Sequence, residues 1–133
     1  MKHHNHWHTF RYAGKAYTDP QRRRGEAPST FPPFAVKDFL SETSIKHAGT
    51  VDRIPAALDW LKQGATSSPP VDGAQFLLEE RLAWADRTLG LERGADIIWG
   101  YYTNSQVYVS LSVIACPRRP HEACPIGFQD EAR

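Results

Sequence analysis

The chain is poor in the features that would assign it a function at once. It carries no apolar run near the eighteen or so residues a membrane helix needs, and its start, Met1-Lys2-His3-His4-Asn5-His6-Trp7-His8, has no apolar stretch of the secretory kind. The expectation is a cytoplasmic chain with no membrane partner. It has almost no net charge, +1 at pH 7, so bulk attraction to nucleic acid or to an anionic surface is excluded, and such binding would need a local patch. It has only two cysteines, Cys116 and Cys124, too few for a disulfide framework. In a reducing compartment they are free thiols or metal ligands, and a single disulfide is the remaining option. There is no internal repeat, no GxSxG elbow, phosphate loop, HExxH or dinucleotide fingerprint, so the motifs whose mechanics identify common enzymes are missing.

What is present is an ordinary globular composition, 41% hydrophobic and 23% charged over 133 residues, enough for one core. The reading is a single domain with a His-rich segment at 1–8, a Pro/Arg-rich loop at 19–33 and an irregular tail at 117–133. Gly14-Lys15 supplies turn chemistry for a hairpin over residues 8–18, with Tyr12 facing Tyr17 across it. Val36, Phe39 and Leu40 share a helical face after Pro32-Pro33, which predicts a helix over 34–47. Asp52 is placed to cap a second helix at 53–63 that carries Ile54, Ala57, Leu58 and Leu61 and closes at Gly64. The third, at 73–89, is opened by Asp72-Gly73-Ala74-Gln75 and carries Leu78, Leu82, Ala85 and Leu89 on one stripe. From 96 to 115 the period changes to two: Val107, Val109, Leu111 and Val113 alternate with polar positions after Ile97-Ile98-Trp99, a second hairpin. The predicted class is α+β, two antiparallel hairpins flanking three helices that pack on one face of the sheet.

Chemistry concentrates at the two ends. His4, His6 and His8 fall on one side of an extended chain, and neutral imidazoles so placed suit zinc, copper or nickel. A free amino terminus followed by His3, with His4 beside it, is a second, N-terminal arrangement suited to square-planar copper(II) or nickel(II). In the tail, Cys116, His121 and Cys124 place soft and borderline donors within nine positions, directly after a strand that could hold the first one. A structural zinc site would need a fourth ligand, for which His6, His8 and His47 are the candidates, whereas a catalytic site would leave that position to water. Glu122 would then be the candidate general base. Two basic runs, Arg22-Arg23-Arg24 and Arg118-Arg119, would form a phosphate-meeting patch if their loops converged. Trp60, Trp84, Trp99, Tyr101, Tyr102 and Tyr108 are expected in the core rather than around a ligand.

The expected function is a small binding or regulatory module, with a possible structural zinc site in the tail, acting on another protein or on itself. The competing reading is a small metal-dependent hydrolase. A third is a nucleic-acid binder using the Arg loops, against which the acidic residues Glu79, Glu80 and Asp86 on the third helix weigh.

Overall fold

The computed structural model describes residues 6–33, 38–41, 47–91, 94–116 and Cys124. Four strands, β1 (His6–Gly14), β2 (His47–Val51), β3 (Ile97–Tyr102) and β4 (Tyr108–Cys116), form one antiparallel sheet in the order β2-β1-β4-β3. Helices α1 (Asp19–Arg23), α2 (Asp38–Ser41), α3 (Ile54–Ser67) and α4 (Leu78–Leu91) complete the α+β class expected from the sequence. The hairpin between β3 and β4 pairs Ile97 with Val113 and Tyr102 with Tyr108, so the change of period to two had its expected consequence.

The first strand differs from its expected hairpin. β1 pairs along its whole length with β4, His6 opposite Cys116 and Gly14 opposite Tyr108, and at Trp7–Phe10 with β2 on its other edge. Residues 15–18 form no strand, and Tyr12 and Tyr17 meet through a shared neighbour, each edge-on to the ring of Phe31 at 5.0 and 5.2 Å. A nine-residue pairing with β4 aligns the buried faces of two strands, which a four-residue return could not match. Local turn chemistry at Gly14 therefore ends the strand without reversing it.

Side-chain parity sorts the sheet into two faces. Trp7, Ile97, Trp99, Tyr101, Val109, Leu111, Val113 and Ala115 join Ala57, Leu61, Ala65, Ala85 and Leu89 of the long helices in the main core. The opposite face carries His6, His8, Phe10, Ile114 and Cys116, and here α2 supplies Phe39 and Leu40 to a second, smaller cluster. The two long helices thus cover one face as expected, while the short α2 lies on the other. Of the helix expected at 34–47, residues 38–41 are helical and His47 begins β2; positions 34–37 and 42–46 lie outside the described residues.

Helix ends follow capping chemistry at places other than those expected. Arg53, not Asp52, is the residue before α3, with no side-chain cap and Pro55 in the first turn, and α3 continues through Gly64 to Ser67. Gly73 takes φ +84°, outside the helical region, and α4 starts at Leu78 rather than at 73. A true capping box occurs inside the segment read as loop: the Gln21 N–H donates to Thr18 Oγ1 while the Thr18 N–H donates to Gln21 Oε1, starting α1.

Two aromatic side chains, one through a hydroxyl and one through an indole N–H, tie loops to the sheet. Tyr101 Oη donates to the Ser68 carbonyl at 2.6 Å, and burial raises its pKa above the ordinary value of 10.0, with Arg11 opposing. Trp7 Nε1 donates to the Ala95 carbonyl at 3.2 Å, anchoring the approach to β3.

Candidate metal centre

The ends of the chain meet on the smaller core's side of the sheet. His6 and His8 are two apart on β1 and so project to one face, and the register sets His6 opposite Cys116 on β4. Cys124 comes back from beyond the end of β4 and packs against the cluster of Phe10, Phe39, Leu40, Ile114 and Cys116. One ligating atom from each of His6, His8, Cys116 and Cys124 lies within 4.8 Å of every other. His6 Nε2 is 3.2 Å from His8 Nε2, and His8 Nε2 is 3.1 Å from Cys124 Sγ. The four could hold a metal ion.

These separations have a chemical meaning. With metal–nitrogen bonds near 2.0 Å and metal–sulfur bonds near 2.3 Å, the edges of a tetrahedron of two imidazoles and two thiolates are about 3.3 to 3.8 Å long. The observed nitrogen–nitrogen distance is about a tenth of an ångström shorter than its edge and the nitrogen–sulfur distance about four tenths shorter, while the 4.8 Å limit is about an ångström longer than the longest edge, so a small adjustment closes the shell. Both rings offer Nε2 to the same point and stand nearly perpendicular, 86° between planes.

An outer group orients one ligand. Thr50 sits opposite His8 in the β1–β2 pairing, and its Oγ1 is 2.9 Å from His8 Nδ1. When Nδ1–H donates to that hydroxyl, the Nε2 lone pair is left for the centre, the usual support given to a ligating histidine. His8 and Cys116 are wholly buried and His6 nearly so, and only Cys124 is partly accessible. The apolar residues around them restrict water, which favours holding an ion over turning one over.

The sequence-derived candidates are distributed unevenly. Cys116 and Cys124 are together, and His6 and His8, each considered for one remaining position, both stand beside them. His121, Glu122, His3, His4, Arg118 and Arg119 lie outside the described residues, as does the side chain of His47, whose backbone pairs with Phe10. Thr50 was not singled out; its signal would have been a β-branched hydroxyl residue opposite a histidine, but that requires knowing that 47–51 is a strand. The basic run at 22–24 is partly neutralised within its own segment. Arg22 pairs with Asp19 at 3.3 Å and donates to the Pro32 carbonyl at 2.7 Å, and Arg24 meets Glu26 at 2.6 Å. Of the six aromatic residues expected inside, Trp99 and Tyr101 are buried, whereas Trp84 and Tyr102 are exposed.

No protein family matches the chain, and comparison with curated proteins and with solved structures finds no match. Among the described residues no helix is long and apolar enough to cross a membrane.

Proposed function

We propose that this chain is a non-catalytic binding module whose fold is locked by a zinc ion held by His6, His8, Cys116 and Cys124. The observation that carries the reading is that four protein donors, three of them buried, lie within 4.8 Å of one another. Zinc accepts mixed imidazole and thiolate donors in a tetrahedron, and four protein ligands fill that shell. Catalytic zinc keeps one position for water, so the hydrolase reading loses support where the fourth ligand is present. The zinc would join the first strand, the last strand and the segment beyond it, and leave the helix-covered side of the sheet to engage a partner. For nucleic acid the support is weaker, because two of the three arginines at 22–24 are engaged by neighbours.

The test is the metal content of untagged full-length protein, purified without a chelating column, together with cobalt(II) substitution. One equivalent of zinc is expected, with cobalt giving the visible bands of a tetrahedral thiolate site. Cys124→Ser and His8→Ala should each abolish stoichiometric binding. Folded protein that contains no zinc and takes none up when zinc is supplied, or a Cys124→Ser variant that retains its zinc at wild-type affinity, would overturn the assignment.

A further inference from the structure

The second feature left over from the core is on the far edge of the sheet and is independent of the metal centre. Leu77, Trp84 and Leu91 follow one another at intervals of seven residues along α4 and its entry, and are 58%, 62% and 81% exposed. Apolar residues at that spacing form a stripe along one side of a helix, the pattern of a helix that packs on another. Beside the stripe runs β3, an edge strand. A groove of about 490 Å³ separates the two, with Glu80 and Trp84 of α4 on one wall and residues 96–99 on the other.

Among the described residues the edge is open over a short, defined length. The Tyr102 carbonyl turns away from β4 and accepts from the Val71 N–H at 2.8 Å. Because backbone groups alternate sides along a strand, Ile98 and Gly100 turn outward as well. Residues 97–102 contain no Lys or Pro and no bulge, the devices that protect edges, and the Ile98 side chain is 47% exposed.

We infer that a second copy of this chain docks on this surface, β3 antiparallel to β3 and α4 antiparallel to α4, about a two-fold axis passing Trp99 and Trp84. With Val71 occupying Tyr102, the outward groups left on the strand are those of Ile98 and Gly100, so the pairing exchanges Ile98 of one copy with Gly100 of the other and centres on Trp99. Gly100 has no side chain of its own, and the Tyr108 ring leans over the place where its Cβ would stand, so the incoming isoleucine packs against that ring. The helix stripe has its own centre of symmetry at Trp84, with Leu77 set against Leu91. Strand and helix are therefore self-complementary about positions that line the same groove, a coincidence that an isologous contact requires and that a foreign peptide would not. Charge agrees: in the antiparallel helix pair, Glu80 of one copy faces Arg87 of the other, and the contact occurs twice.

Sedimentation of the full-length protein over micromolar concentrations tests this. A reversible dimer is expected. Trp84→Glu and Ile98→Lys, at positions the single chain leaves exposed, should each give monomers with unchanged far-UV circular dichroism. Glu80→Arg and Arg87→Glu should each weaken the dimer about tenfold or more, and the two together should restore it. A wild-type chain that stays monomeric at hundred-micromolar concentration, or a dimer that survives both Trp84→Glu and Ile98→Lys, would overturn the inference.

Discussion

His8 links three parts of the candidate centre: its Nε2 approaches both another imidazole and a thiol, and its Nδ1 reaches Thr50. Direct ligands and supporting groups should separate experimentally. Removing a ligand abolishes binding, whereas removing the group that orients it typically costs about 10- to 100-fold in affinity. Thr50→Val keeps the β-branched shape suited to a strand and deletes the hydroxyl. Competition with a chromophoric chelator is expected to show zinc bound at one equivalent with affinity reduced by about 10- to 100-fold. An unchanged affinity would mean that the hydroxyl does not orient the ring in solution.

Among the elements, α3 and α4 show how one substitution changes sign with packing. Alanine in place of a helix-interior glycine ordinarily gains about 0.5 to 1 kcal/mol. Gly90 on α4 has nothing within 4 Å of where a Cβ would stand, so Gly90→Ala should stabilise by about that amount. At Gly64 on α3 the added carbon would stand 2.9 and 3.0 Å from the methyls of Leu111, a fully buried residue of β4. Overpacking of that kind costs about 1 to 3 kcal/mol, more than the helix gains, so Gly64→Ala should destabilise. Urea unfolding of both variants checks the pair, and equal signs would show that α3 can move off the sheet. The same glycine explains one limit of sequence reading. Gly64 is a plausible helix stop by propensity, yet it lies mid-helix because the close approach of α3 to β4 needs it there. The β3–β4 hairpin, the core-facing stripe of Leu78, Leu82, Ala85 and Leu89 on α4 and the α+β class were legible because each repeats a local period. β2 was not: His47-Ala48-Gly49-Thr50-Val51 has no alternation, and its pairing with β1 is set by contacts some forty residues distant. The meeting of His6 and His8 with the cysteines depended on another long-range pairing, that of β1 with β4, which sequence spacing alone does not contain.

At the scale of the molecule, the sheet has two unequal supports. The main core, with Trp7, Leu61, Leu89 and Leu111 fully buried, draws on both long helices and three strands and contains none of the candidate ligands. The smaller core on the other face has few apolar members and includes Cys116 and Cys124 themselves. Metal removal should therefore loosen the molecule from its ends inward rather than unfold it outright. A strong chelator is expected to leave far-UV circular dichroism at 25 °C largely intact and to lower the thermal midpoint by on the order of 10 °C, since a bound structural ion stabilises the folded state alone. The loss should have a location. Holding both Cys116 and Cys124 pins the two ends of the segment that contains the Arg118–Arg119 bond, which is open to trypsin because Arg118 is followed by arginine, whereas Arg119 is followed by Pro120. Cleavage at that bond should accelerate on chelation, and it should do so before bonds in α3 or α4 are cut. If chelation instead exposed the helices and the tail at the same rate, the centre would be part of the global folding unit, and the main core would not stand without it.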